Sequence, residues 1–231
     1  MDNCIIISDI HAPYHHRDTL PFLETIKYAY DIQVAKNVGD IVDNHYSSFH
    51  PIEYGTLSGE EEHNRAKKFV QELHELFPEM TVSLGNHCQM TERKAKQANI
   101  PYDHIKSYND MYEIDNWIWT DKDYFKVDKY NSCLMVHSMS KSTLTNARSH
   151  SHHTVQGHHH GTFGIEYFAD TEFLRWSMTV GCLIDTSSPA FNYSKGYTNN
   201  KPIIGVGAII DDSPILIPMK LTKSGRWDGS V

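Results

Sequence analysis

The chain has 231 residues, a formal net charge of −8, 39% hydrophobic and 11% aromatic residues. That length suits one sizeable α/β domain, and the apolar content excludes a wholly disordered chain. No apolar run approaches the roughly 20 residues that a membrane-spanning helix needs, and an acidic chain lacks the Lys and Arg stripe that non-specific nucleic-acid binding requires. The charge argument has one exception: carboxylates that hold cations count as negative only in the formula. The 16 histidines are the unusual feature, because histidine clustered with aspartate suggests metal.

The start of the chain, Met1-Asp2-Asn3-Cys4-Ile5, has no basic segment and no small-residue cleavage site, so no signal peptide is expected. Cys4, Cys88, Cys133 and Cys182 form no C-x-x-C pair. Free thiols in a reducing cytoplasm are the expectation.

Residues 4–8 are a continuous apolar run and predict a strand buried on both faces. Asp18 is placed to cap a helix from about Thr19 to Tyr30, with Pro21 tolerated in its first turn. Ile32 to Val38 predicts a second strand, ending in Gly39-Asp40, and Asp43 to Gly59 predicts a long loop. Glu60 to Phe77 is the clearest helix: Ala66, Phe69, Val70, Leu73 and Leu76 form an apolar stripe, Ser58 is the N-cap, and Pro78 stops it. Met80 to Leu84 predicts a third strand, ending in Gly85-Asn86-His87, and Thr91 to Asn99 a short helix. An aromatic-rich connection over residues 100–130 is partly strand. Ser132 to Val136 delivers His137, and His153 to Gln156 delivers Gly157-His158. Glu172 to Val180, Ile203 to Ile210 and Pro214 to Leu221 read as strands, the last two joined by a hairpin at Asp211-Asp212. With no internal repeat and no boundary signal, residues 1–231 read as a single domain without a separate cap or DNA-binding domain. Its α/β topology is expected to turn into a second, more antiparallel sheet.

Every polar motif falls at the carboxyl end of a predicted strand, where α/β sheets gather their ligands. A pair of divalent cations can clamp a phosphate ester and acidify a water, but needs a shared carboxylate with further oxygen and imidazole ligands. Asp9 and His11 are two residues apart, a spacing that in an extended segment puts both side chains on one face, and His158 and His160 repeat it. Asp40 and Asn86 each follow a glycine, which permits a tight turn off the strand.

These residues, Asp9-x-His11, Gly39-Asp40-x-x-Asp43, Gly85-Asn86-His87, His137 and Gly157-His158-x-His160, resemble the motifs of the calcineurin-like metallophosphoesterase family over roughly residues 4–160. The resemblance implies a four-layer αββα sandwich of two mixed sheets flanked by helices. It implies one metal held by Asp9, His11, Asp40 and His160, and another held by Asp40, Asn86, His137 and His158. A water or hydroxide bridging the metals would attack phosphorus in line. His87 would lie over the substrate, stabilising the transition state or protonating the leaving oxygen, with Asp43 as its carboxylate partner. Cys88 departs from the acidic residue usual after Gly-Asn-His, and a thiolate ligand there is a minor alternative; His159 stands where threonine is common.

Outside the motifs, His15, His16, His45, His50, His63, His74, His152 and His153 read as surface or loop histidines, except that His45, two residues past Asp43, is placed to overhang the metals. His45 and Tyr193 are the candidate substrate contacts, Tyr193 and Tyr197 as stacking platforms for a base; Lys141 and Arg148 are candidate phosphate contacts. The expected protein is a cytoplasmic, metal-dependent phosphoesterase acting on a small ester such as a nucleotide. Its expected cofactors are two divalent ions, manganese first and Fe, Zn or Co as alternatives. A nuclease acting on DNA or RNA is the second reading, and a non-catalytic binding scaffold the third.

Overall fold

The computed structural model describes residues 1–48, 56–140, 142–188 and 201–231. In chain order it contains β1 (Cys4–Ile7), α1 (Thr19–Ala29), β2 (Val34–Asn37), a 3₁₀ turn (His45–Ser47), α2 (Gly59–Leu76), β3 (Met80–Ser83) and α3 (Met90–Gln97). A second 3₁₀ turn (Tyr102–His104), α4 (Tyr108–Tyr112), β4 (Trp117–Thr120), β5 (Lys122–Lys126), β6 (Ser132–Val136) and α5 (Thr143–His150) follow. The chain ends with β7 (His153–Gln156), β8 (Gly164–Ala169), β9 (Leu174–Thr179), β10 (Gly205–Ile210) and β11 (Ser213–Pro218).

The β1 run is buried on both faces because it lies between two cores. Ile5 and Ile7 face the first, with Phe22, Leu23 and Ile26 of α1 and Ala66, Phe69, Val70 and Leu73 of α2. Cys4 and Ile6 face the second, with Cys133 and Met135 of β6, Val155 of β7 and Trp176 and Met178 of β9. Period-two alternation along one strand therefore feeds a helix layer on one side and a second sheet on the other. Burying each of these large side chains stabilises by roughly 1.5–3 kcal/mol. Gly207 of β10 lies between the sheets, where an added Cβ would lie 3.0 Å from the Met178 sulfur and closer still to Val180. A side chain there would force the sheets apart.

The first sheet has the order β11-β10-β1-β2-β3-β4 and the second β5-β6-β7-β9-β8. In the first, β1 through β4 run parallel and β10 lies antiparallel beside β1. In the second, β6, β7 and β9 run parallel between antiparallel edges. Helix α5 covers the outer face of the second sheet against β7 and β9, which completes four layers, αββα. Among the described residues no helix is long and apolar enough to cross a membrane.

The structure departs from the sequence expectation in four places. The C-terminal hairpin joins the first sheet rather than the second, because Val206 and Ala208 supply apolar groups to the helix-side core beside β1. Its turn residues Asp211 and Asp212 both have positive φ, 47° and 63°, as a two-residue hairpin with right-handed strand twist requires. Strand β8 is an edge strand with a largely exposed, non-alternating surface, so it lacked the apolar rhythm of a strand.

Histidines 16 and 153 are buried rather than superficial. His16 accepts the Asp18 amide at Nδ1 and bonds the Gly225 carbonyl through Nε2. His153 stacks on Trp176 with ring centroids 4.6 Å apart. Burial, with Arg175 nearby, pushes its pKa down to about 4, so it is neutral and accepts the Trp176 amide.

Asp18, finally, makes no cap bond from its side chain. Its carboxylate instead takes the Arg226 guanidinium through both Nε and Nη2 and the Trp227 amide, tying the C-terminal segment to the start of α1. The Arg226 hydrogen bond is the main reason its pKa falls to about 2. A depressed carboxyl pKa stabilises the fold above the unfolded value of about 4 and loses that contribution as pH falls towards 2. Asp18→Asn is therefore expected to lower the melting temperature at pH 7 by no more than about 3 °C, since the pair is half exposed. The gap to wild type should narrow as melts are taken below about pH 4 and close towards pH 2.

Candidate metal centre

The carboxyl ends of β1, β2, β3, β6 and β7 meet at one edge of the sandwich. The loops after β1 and β2 are zipped together by main-chain bonds: Asp9 and His11 donate to the carbonyls of Gly39 and Asp40, at 3.0 and 2.9 Å. Asp9, His11, Asp40 and His158 all have positive φ, between 49° and 67°. The sequence expectation was that two-residue spacing in an extended segment puts the pairs on one face; left-handed turns do it instead. Such a conformation costs roughly 1–3 kcal/mol at a non-glycine residue and is most accessible to Asp, Asn and His.

Glycines make room for the crowding that follows. A Cβ on Gly85 would overlap the Asp40 carboxylate, and one on Gly157 would overlap Ser8 Oγ and lie 2.6 Å from Asp9 Oδ2. His137 comes from the second sheet, yet its Nδ1 bonds the Val38 carbonyl of the first at 2.9 Å. It passes over Gly39 (φ +112°), where a side chain would meet that same nitrogen at 2.6 Å.

Three sets of potential ligand atoms converge here: Asp9, His11 and His160; His11, Asp40 and His87; and Asp40, His137 and His158, the atoms within each set lying within 4.8 Å of one another. His160 Nε2 is 3.0 Å and His11 Nε2 3.7 Å from Asp9 Oδ1. His137 Nε2 lies 3.1 Å from both Asp40 Oδ2 and Asn86 Oδ1. Asp40 Oδ1 accepts the amides of His87 and Cys88 at 2.8 and 3.3 Å. Asp9 is anchored likewise, by the Ser8 hydroxyl and by the His158 amide at 2.8 Å.

This donor set fits divalent cations. His137 gives its Nδ1 proton to Val38 and His11 gives its own to Asp43, 2.6 Å away. Each ring, when neutral, would turn an Nε2 lone pair towards carboxylate oxygens, the tautomer a metal ligand needs. A lone pair and a carboxylate so close require a positive charge between them. The titration behaviour expresses the same demand. Burial opposes protonation of His11 and His137, but bonds and charges from Asp43, Asp9 and Asp40 outweigh it and hold them up at about 10 and 9. Burial likewise works against ionisation of Asp9, Asp40 and Asp43, and the surrounding imidazoles hold all three well below the usual carboxylate range. Burial and the charge on His137 lower His158, leaving it neutral.

His87 Nδ1 bonds the Asp43 carbonyl at 2.7 Å and lies 3.2 Å from the Asp43 carboxylate. Asp43 is thus closer to His11 than to its expected partner, because the left-handed turn at His11 brings that ring against it. Burial and His11 oppose protonation of His87, yet Asp43 and Asp40 raise its pKa overall. His45 is buried on the 3₁₀ turn, with Nδ1 3.9 Å from Asp43 Oδ2. Cys88 is buried; the apolar surroundings push its thiol up to about 12, and it joins none of the ligand sets found among the described residues, which argues against a thiolate ligand. Arg148 is remote: it lies 5.9 Å over the ring of Phe168, which pairs with Arg175 at the opposite end of β9. Tyr193, Tyr197, Lys141 and His50 lie outside the described residues.

Two features were not anticipated. An open cleft of about 540 Å³ adjoins Asn86, His137 and His158, its outer wall formed by Gln89, Lys122 and Met139. Glu62 of α2 is buried beneath the 3₁₀ turn. Burial pushes its carboxyl up to about 7. Its signal was present: position 62 lies on the same helical stripe as Ala66, Phe69, Val70 and Leu73.

The fold and its loops can be set beside known proteins. The structure is similar to Yfce, a phosphoesterase from E. coli, at 12% identity and TM-score 0.50, covering 98% of this chain and 96% of that one. It is similar to Vps29 of Chaetomium thermophilum at 8% identity and TM-score 0.54, covering 99% and 94%. No curated protein matches the sequence. The model of the family described as calcineurin-like phosphoesterase matches residues 3–199, a span that contains every strand end assembled above. The chain belongs to the calcineurin-like phosphoesterase family.

Proposed function

We propose that this protein is a metal-dependent phosphoesterase that hydrolyses a small phosphate ester, a nucleotide being the favoured class. The observation that carries the reading is that Asp40 belongs to two ligand sets, one with His11 and His87 and one with His137 and His158, while His11 links the first to Asp9 and His160. Asp9, His11, Asp40 and His160 would hold one divalent ion; Asp40, Asn86, His137 and His158 would hold a second. Bound there, the ions would supply Lewis acidity towards phosphoryl oxygen and lower the pKa of water. The intact ligand set and the partnered His87 argue against a purely structural role.

The chain's own groups divide the remaining work. His87, kept protonatable by Asp43 and Asp40, carries on Nε2 the proton that the departing oxygen needs, while Nδ1 is committed to the Asp43 carbonyl. Asp43 fixes the His11 tautomer. The cleft beside Asn86, His137 and His158 gives the non-reacting part of the substrate a place, with Met139 as an apolar wall and Lys122 as a cation. Its size lies in the range of small-ligand pockets, and the net charge of −8 disfavours a polyanionic polymer.

The deciding assay takes the protein loaded with Mn²⁺ and offers p-nitrophenyl phosphate, its bis ester, nucleoside monophosphates, cyclic nucleotides and single-stranded DNA. Turnover of one of the small esters is expected. Cleavage of the polymer alone would make it a nuclease, and no turnover with metal bound would leave a binding scaffold. His87→Ala should retain metal and lose about 10²–10⁴-fold in kcat on the best substrate; loss of metal instead would contradict its role. Asp40→Asn should deplete both metals together in elemental analysis of the purified protein. Depletion of one alone would show that Asp40 is not shared.

A further inference from the structure

His87 is held at its ring by the Asp43 carbonyl and at its amide by Asp40, while the Asp43 carboxylate is more closely engaged with His11, and the loop between β3 and α3 has a further anchor. We propose that Glu62 is a positioning residue for His87, acting through the 3₁₀ turn at His45–Ser47; the proposal rests on the assignment of His87 as proton donor.

Glu62 lies in the first turn of α2 and is 1% exposed. No Lys or Arg pairs with it among the described residues. Its oxygens are used on main-chain donors instead: Oε1 accepts the His45 amide at 2.6 Å and Oε2 the Tyr46 amide at 3.2 Å. The Tyr14 hydroxyl, from the loop that also carries His11, donates to Oε2 at 3.3 Å. One carboxylate therefore ties α2 to the loops after β1 and β2. A carboxyl in place of an apolar residue on the same stripe is costly to bury, and the loop amides and the Tyr14 hydroxyl offset that cost.

The turn in turn grips the His87 loop. Asn44, left-handed at φ +50°, donates from its side-chain amide to the His87 carbonyl at 3.0 Å and towards the Cys88 carbonyl at 3.4 Å. Ser47 meets the Thr91 hydroxyl, in the first turn of α3, at 3.2 Å. The contacts run without a gap from the Glu62 carboxylate through the His45 and Tyr46 amides and Asn44 to the main chain of His87. Among the described residues no hydrogen bond or ion pair joins Glu62 directly to Asp9, His11, Asp40, Asn86, His137, His158 or His160, so its removal should displace the proton donor and leave the metals.

Leaving-group dependence separates this from plain loss of structure. A departing p-nitrophenolate needs little protonation and a phenolate much more, so matched p-nitrophenyl and phenyl esters report where the acid stands. The wild type and the variants Glu62→Ala, Glu62→Gln and Asn44→Gly would be compared on both esters, with bound metal and melting temperature measured alongside. Glycine keeps the left-handed backbone at position 44 while removing the clamp. The phenyl-to-p-nitrophenyl ratio of kcat is expected to fall at least about tenfold in Glu62→Ala and Asn44→Gly with metal retained, a part of what general acid catalysis contributes. It should fall less in Glu62→Gln, which keeps one carbonyl acceptor. Should Glu62→Ala not fold, the other two carry the test. Equal slowing of both esters, or a wild-type ratio in Asn44→Gly and Glu62→Gln, overturns the proposal. A wild type inactive on every ester overturns the function itself, an outcome visible before any variant is made.

Discussion

Three carboxylates, Asp9, Asp40 and Asp43, are buried within one cluster, none more than 2% exposed. Charges taken out of water are tolerated only with compensation, and much of the surrounding architecture follows from that need. The histidines that face the cluster include two whose tautomers are set by their acceptors, Asp43 for His11 and the Val38 carbonyl for His137. Main-chain amides of His87, Cys88 and His158 fill the remaining carboxylate positions. Removing one carboxylate would strand imidazoles, and removing one imidazole would strand a charge, so the site is cooperative in composition as well as in chemistry.

Bringing these groups together also sets backbone requirements. Two sheets must end at one edge, and the loops must leave their strands at angles that a β conformation does not permit. Left-handed Asp and His residues supply those angles, and the three motif glycines leave space for neighbouring ligands. Gly39 serves both ends, since it lets His137 of the second sheet bond the main chain of the first. The site is therefore a cross-sheet fastening, and the packing of Gly207 against Met178 and Val180 further along the interface contributes to the same registration.

Much of this was legible in the sequence, for identifiable reasons. The apolar runs ending in Asp, Asn or His marked the strand ends, because a strand buried on both faces reads as continuous hydrophobicity. The α2 stripe and the Ser58 cap marked the long helix, and the cap bond to the Glu61 amide is present at 3.2 Å. Other features were hidden for equally physical reasons. Strand β8 has an exposed outer surface and no apolar alternation. Asp18 occupies a capping position, but its partner Arg226 is 208 residues away, and no local pattern reports a long-range ion pair. The buried His16 and His153 look like any loop histidine until their hydrogen-bond partners are known. Glu62 was hidden differently: three consecutive glutamates at a helix N-terminus are ordinarily explained by the dipole, and only the phase of the stripe separates the one that faces inward.

Asp43 shows how the division of labour arises from geometry. One carboxylate has three imidazole neighbours, His11, His87 and His45, and the shortest contact goes to His11, whose Nε2 faces Asp9. Both rings bonded fully to the same oxygen would fix the ligand and the proton donor as one unit, and any shift in the donor would be felt by the metal ligand. In the observed arrangement the His87 ring is oriented by the Asp43 carbonyl, and its main chain is held by Asp40 at the amide and by Asn44 at the carbonyl. In the proposed reaction the His87 ring would then be oriented independently of the His11 tautomer, although its main chain stays tied to Asp40. Under the same proposal the inward-facing Glu62, which holds the turn that carries Asn44, would be the anchor of that loop.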